Sequence, residues 1–298
     1  MRDEIRKIQD MMEAAEYVTD APVATSVHLA MRLRKPLLIE GPAGVGKTEV
    51  AKVMSRMLGT NLIRLQCYEG LDVSTALYEW NYQKQLLHIK LEEAGHNNRA
   101  MADKEHEIFS EPFLLRRPLL QAITQDSQSP VLLVDECDRT DEEFEAFMLE
   151  VFSDWQVTIP EIGTIKATHP PHVILTSNRT RELSDALRRR CLYLWIDYPT
   201  PDKEIRIIAR KVPGINGRLA REIAKFMETL RQVRLAKVPG VAETLDWAQA
   251  LASLHADHID EALVGETLGC VLKDVDDMKR FRAEVAKAGL GPFLPAPS

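Results

Sequence analysis

The sequence predicts an α/β chain in two parts. A five-stranded parallel sheet flanked by helices is expected over residues 1–199, a smaller all-helical domain over 200–288, and an extended tail over 289–298. Three observations carry this expectation. Short apolar runs without alternation, typical of strands buried on both faces, recur between helical stretches. The first of these runs ends in a glycine-rich turn that opens a helix. From about Asp202 onward, every periodic segment has helical spacing.

Taken in order, residues 3–17 read as an amphipathic helix with Ile5, Ile8, Met12 and Ala15 on one face, and a second helix follows Pro22 to about Arg34. The first strand is Pro36–Glu40, and Lys47–Leu58 is the helix beyond the glycine turn. Asn61–Gln66, Val131–Asp135, His172–Ser177 and Leu192–Ile196 are the remaining strands. Asp141–Phe152 is a helix whose acidic first turn suits the helix dipole. Two segments interrupt the rhythm. One is an insertion at about 70–121, in which Tyr78, Trp80 and Tyr82 recur at period two and read as the packed face of a strand. The other is a hairpin at about 155–167, pairing Gln156–Ile159 with Thr164–Lys166 around Pro160–Gly163. Helices are expected at 202–211, 217–231, 242–255, 259–273 and 276–288, punctuated by proline and glycine.

Composition bounds the function. The chain has 298 residues, with 45% apolar and 28% charged, which supports a sizeable core and excludes a disordered chain, a collagen-like fibre and a small disulfide scaffold. The net charge of −7 argues against a large basic nucleic-acid surface. No apolar run reaches the ~18 residues of a membrane helix, and the charged N-terminus has no signal-like apolar stretch behind it. Cys67, Cys137, Cys191 and Cys270 form no CxxC pair, so a reduced, cytoplasmic protein is expected. His255 and His258 have helical ligand spacing but no third ligand nearby, and read as a solvated helix face.

Four motifs carry chemistry. Gly41-Pro42-Ala43-Gly44-Val45-Gly46-Lys47-Thr48 matches G-x-x-x-x-G-K-[ST], between a strand and a helix as the motif requires. Its glycines let backbone N–H groups converge on phosphate oxygens, Lys47 can reach the β- and γ-phosphates, and the Thr48 hydroxyl can ligate Mg²⁺. Glu49 follows within the same first helical turn and is grouped with the nucleotide-binding residues. Val131–Asp135 delivers Asp135 to the end of a buried strand, where it can hold the Mg²⁺ water shell, and Glu136 can orient and deprotonate a water. Asn178, after the strand His172–Ser177, can hydrogen-bond that water or a γ-phosphate oxygen. Arg188, Arg189 and Arg190 are open to three readings: a basic patch, an arginine finger, or a helix end whose basic residues suit the dipole.

In this order and spacing, these motifs resemble an AAA+ ATPase. The resemblance covers about residues 20–260 and implies ATP and Mg²⁺ as cofactors. By it, Asp135 and Glu136 correspond to the Walker B pair, Asn178 to sensor 1, Arg190 (with Arg189 second) to the arginine finger, and Tyr17 and Val18 to an adenine cradle. The hairpin, the insertion and phrases such as LYEWNYQKQLL and PGVAETLDWAQAL are similar to the MoxR group, most of all its CoxD type, associated with carbon monoxide dehydrogenase. That resemblance implies a chaperone-like hydrolase forming a homo-oligomeric ring, expected to be a hexamer. It also implies a partner carrying a von Willebrand factor A domain and a molybdenum hydroxylase as client. There is one departure. Where the family often places a sensor 2 arginine, Gly240–Thr244 carries Glu243, and Arg231 or Arg234 is the nearby substitute. Alternative readings are a metal-chelatase motor subunit, a nucleic-acid remodelling AAA+ ATPase and a small-molecule phosphotransferase.

Overall fold

A computed structural model describes residues 2–94 and 107–295. Five strands form one sheet in the order β2-β5-β8-β1-β9: β1 is Leu37–Glu40, β2 Leu62–Gln66, β5 Val131–Asp135, β8 His172–Ser177 and β9 Leu192–Trp195. The pairings β1–β8, β2–β5 and β5–β8 are parallel. The central strands carry unbroken apolar stretches ahead of their polar C-terminal ends because both faces are covered; every residue of β1 and β5 is buried. At the edge, β2 alternates, with Ile63 and Leu65 inward and Arg64 and Gln66 outward. Register brings the strand ends together: Gln66 faces Asp135, Val134 faces Leu175 and Glu40 faces Ser177.

The helices before and between these strands are α1 (Arg2–Ala14), α2 (Ala21–Leu33) and α3 (Lys47–Leu58). In α1, Ile8 and Met12 are buried, as their spacing predicts. The helix after β5, Glu142–Asp154, is capped by the Asp141 carboxylate on Phe144 N at 2.8 Å and ends at Trp155 in the left-handed region. The hairpin forms as expected, Gln156–Ile159 (β6) antiparallel to Gly163–Lys166 (β7).

The insertion has its own small architecture. Tyr78–Trp80 (β3) pairs antiparallel with Leu114–Arg116 (β4), and a helix, Tyr82–Ala94, leaves β3. Tyr78 and Trp80 do share a strand face, edge to face at 6.2 Å, and Trp80 is buried. Tyr82 does not belong with them: it opens the helix and is 65% exposed, since the strand ends at Trp80. Residues 95–106 of the expected insertion lie outside the described residues.

Beyond β9 the chain is helical: Pro201–Lys211, Gly217–Leu230, Val241–Ser253, Glu261–Val271 and Val275–Ala288. Thr200, Asn216, Asp260 and Asp274 cap four of the five with side-chain oxygens. Their core centres on Phe226, against which Trp247, Phe281 and Phe293 pack at 4.7–5.6 Å. Phe293 corrects the expectation of an extended tail. Gly291–Phe293 forms a 3₁₀ turn that buries this ring, because the burial of an aromatic outweighs the proline-rich character of the segment. Residues 296–298 are outside the described residues.

By their contacts the residues fall into two compact units. One draws on Met1–Ile8, Ala21–Glu40 and Ala51–Leu194, the other on Gln9–Asp20, Gly41–Val50 and Trp195–Ser298. Among the described residues, no helix is long and apolar enough to cross a membrane.

Candidate active site

Gly41–Gly46 joins β1 to α3, and its backbone has little room for side chains. Gly41 has φ +157°, and a Cβ there would sit 1.9 Å from the Ile196 carbonyl oxygen. Gly44, at φ +74°, faces Gly240, where an added Cβ would lie 2.7 Å from the Ala43 carbonyl oxygen and 2.8 Å from Gly44 Cα. Gly46 has φ +93°, the left-handed region that glycine enters without penalty. Lys47 is buried and its Nζ donates to the carbonyls of Gly41 at 2.9 Å and Pro42 at 2.6 Å. Thr48 and Glu49 follow, half-buried, in the first turn of α3. A loop of this shape presents bare backbone and a buried ammonium at a helix N-terminus, the donor set that fits a phosphate chain. In the same unit Val18 is buried, and burial, ahead of the charges of Asp20 and Glu49, pushes the Tyr17 hydroxyl far above its ordinary range.

Within the sheet unit, Asp135 is 4% exposed and both its oxygens are engaged. Oδ1 accepts from Thr176 Oγ1 at 2.5 Å, and Oδ2 accepts from Arg64 Nη2 at 2.6 Å and Nε at 3.1 Å. Glu136 N donates to the Thr176 hydroxyl oxygen at 3.0 Å. Glu136 itself has φ +56°, uncommon for a residue with a side chain. This turns its carboxylate off the strand path, where Arg139 Nε meets it at 2.9 Å. Half-buried Asn178 directly follows the neighbouring strand β8. Its N–H and that of Thr180 donate to Asp138 Oδ2 at 3.2 and 2.8 Å, and the Thr180 hydroxyl donates at 2.7 Å. Asp135, Glu136, Thr176 and Asn178 therefore cluster at the ends of β5 and β8.

The three arginines separate. Arg188 lies over the Tyr193 ring at 5.7 Å, with Nη2 3.9 Å from the buried Glu40 carboxylate, which also accepts from Tyr193 Oη at 3.0 Å and lies 3.7 Å from Arg179 Nε. Arg190 Nη1 donates to the Leu149 carbonyl at 3.0 Å and to the Ser153 hydroxyl. Arg189 is exposed at the same helix end. Behind them, Arg181 pairs with fully buried Glu145 and donates to the Thr140 carbonyl, while Ser184 N donates to Glu145 at 2.9 Å.

Glu243 turns out to be a cap. Its Oε2 accepts from Gly240 N at 2.8 Å, closing the start of Val241–Ser253, whose first two N–H groups donate to the Gly44 carbonyl at 2.9 and 3.3 Å. Arg231 is engaged within its own unit. It makes a two-pronged pair with Glu204 at 2.7 Å on both arms, donates to Thr244 Oγ1 and the Pro239 carbonyl, and lies over Tyr198 at 4.9 Å. Arg234 is exposed.

Sequence reasoning missed Arg64, Thr176, Asp138 and Glu40. Each lies within four residues of a strand end, and the outward position of Arg64 on an alternating edge strand was the one readable signal. One further His/carboxylate set among the described residues, His88, Glu92 and Glu107, has ligand atoms within 4.8 Å of one another. It was not anticipated either.

With this geometry in place, the relationships are informative. A family model, the AAA domain of the dynein-related subfamily, matches residues 36–191, more than half of the chain. The chain belongs to this family, and it is an ATPase of the AAA+ fold. An uncharacterized protein of Staphylococcus epidermidis is 25% identical over 228 residues, covering 74% of this chain and 78% of that protein. One from Staphylococcus aureus is 25% identical over 243 residues, covering 79% and 82%. Among solved structures, one variant of Thermotoga maritima RuvB aligns with a TM-score of 0.51 at 18% identity, over 96% of this chain and 76% of that one. That likeness supports the fold alone.

Proposed function

We propose that the protein is a Mg²⁺-dependent ATP hydrolase of the MoxR group. It works as a homo-oligomeric ring, most simply a hexamer, that remodels or matures a protein client. The observation that carries this is the loop Gly41–Thr48, where backbone crowding and a buried lysine favour phosphate over any side-chain ligand. Lys47 and the loop amides bind the phosphates. Thr48 and Asp135 would hold the metal and its waters, and Glu49 shares the first turn of its helix with Thr48. Magnesium, when bound, neutralises charge on the phosphate oxygens. Glu136, turned outward by its left-handed backbone, takes a proton from the attacking water, and Asn178 fixes that water or a phosphate oxygen. Arg190 of a neighbouring subunit stabilises transition-state charge.

The finer assignment rests on the motif phrases. It names a von Willebrand factor A domain protein as partner and a molybdenum hydroxylase, such as carbon monoxide dehydrogenase, as client. The acidic net charge weighs against nucleic acid as the substrate.

The test separates binding from turnover. Lys47→Ala is expected to abolish binding of a fluorescent ATP analogue. Glu136→Gln is expected to keep that binding and stop phosphate release. Unchanged turnover in Glu136→Gln would remove it as the base.

A further inference from the structure

We propose that Glu243 sets how far the loop Gly41–Thr48 distinguishes nucleotides by their phosphate charge. Its carboxylate opposes each added charge, so ATP gains less over ADP than the loop alone would give it. The proposal rests on the reading of this loop as the phosphate site.

Glu243 and the loop lie in the same compact unit, which includes Gly41–Val50 and Trp195–Ser298. There the helix Val241–Ser253 starts against the loop. Val241 N and Ala242 N donate to the Gly44 carbonyl, and a Cβ on Gly240 would lie 2.8 Å from Gly44 Cα. Left bare, a helix N-terminus lends about half a positive charge to its surroundings, which favours anions. Glu243, in the first turn, reverses that sign with a full negative charge. Its Oε2 accepts from Gly240 N at 2.8 Å and stands 3.3 Å from the point where a Cβ on Gly44 would lie. The Gly240 N–H is its one hydrogen-bond partner among the described residues, and no cation pairs with it there. Arg231 lies near enough to share Tyr198 with it, but both arms of that guanidinium are held by Glu204.

Capping does not require the charge. Glutamine serves at this position of a capping box as glutamate does, so the two roles can be separated. The loop draws phosphate oxygens by contact, and the carboxylate pushes back at longer range. Half-buried, it is screened by water only in part. The push grows with every unit of charge on the nucleotide, whatever the base or sugar. Nucleotide is thus held less firmly than the loop's donors would hold it, and leaves faster. Glu243 is a specificity-determining residue of the phosphate loop.

The experiment measures the Kd of ATP and of ADP for the full chain in excess chelator, by displacement of a fluorescent ATP analogue. Glu243→Gln keeps the cap and removes the charge. It should bind both nucleotides more tightly, and its preference for ATP over ADP should rise about two- to fivefold. Glu243→Ala gives up the cap as well. A loosened loop weakens both nucleotides alike, so the ATP-to-ADP preference should still rise, and this variant serves if the glutamine one does not fold. A preference that is unchanged or lower in these variants overturns the proposal and leaves Glu243 a cap. A wild type that binds neither nucleotide would instead sink the reading of the loop as the phosphate site.

Discussion

Glu204 and Arg231 illustrate how far a single residue's role can lie from its neighbours in sequence. Arg231 stands close to the expected sensor 2 position, which made it a candidate. Its partners are Glu204, Thr244 and the Pro239 carbonyl, with Glu204 fully buried and Arg231's side chain 7% exposed. No local pattern links residues 204 and 231, so this pair was invisible to spacing arguments. Removing one partner leaves a buried charge uncompensated, which costs about 3–5 kcal/mol. Arg231→Met should lower urea-measured stability by about that much, and a loss below about 1 kcal/mol would show that the pair is replaceable. The cysteines were easier to read. Burial pushes the thiols of Cys67 and Cys191 up to about 12, with the Asp135 charge adding at Cys67, and holds Cys137 well above its ordinary range. At pH 8 the thiolate is scarce at all three. A thiol reagent should therefore leave Cys67, Cys137 and Cys191 unmodified in the native protein and reach them only after unfolding, which mass spectrometry can score residue by residue.

At the scale of elements, legibility followed burial. β5 and β8 were read to the residue, because their covered stretches, Val131–Val134 and Val173–Leu175, are unbroken apolar runs. The helices of the second unit were read to within about two residues, since their caps and prolines are local signals. Two other features depended on partners distant in the chain. Tyr82 was misread as strand because alternation says nothing about where pairing with Leu114–Arg116 stops. Phe293 was misread as tail because its pocket is built by Phe226 and Phe281. The strand–loop–helix unit at 37–58 offers a sharper test. At Gly41 a methyl group would meet the Ile196 carbonyl oxygen at 1.9 Å, contact that only backbone movement relieves. Gly41→Ala is expected to lose nucleotide binding and to cost about 1–3 kcal/mol of stability. Gly289→Ala, at φ +68° with open space around it, should lose some stability and keep binding.

The whole molecule raises the question of assembly. Arg190 holds the end of the helix Glu142–Asp154 within its own chain, through Leu149 and Ser153. As an arginine finger it would give up or share these bonds. Light scattering on Glu136→Gln protein with Mg·ATP should show a shift to a ring-sized particle. In the same background, Arg190→Ala should leave that shift intact. As a single substitution it should cut turnover by about 10³-fold or more. If Arg190→Ala lowers stability by about 1 kcal/mol and leaves turnover alone, it is a helix-end anchor and nothing else. A particle that stays monomeric both with and without Mg·ATP would remove the ring.

The bond from the Gly44 carbonyl to the start of Val241–Ser253 has a mechanical consequence. A peptide unit is rigid and trans, so the Gly44 C=O and the Val45 N–H belong to one plane and point in opposite directions. Val241 N and Ala242 N grip the carbonyl at 2.9 and 3.3 Å, and in doing so they orient the amide on the other side of that plane. The loop and the helix thus share a hinge pin one peptide wide. A load that turns Val45 N–H must also slacken the grip on the helix start, and a twist of the helix must re-aim the amide. On the role proposed for the loop, force on the helix and the aim of the Val45 amide at phosphate are geared to each other at Gly44, with no side chain in the train.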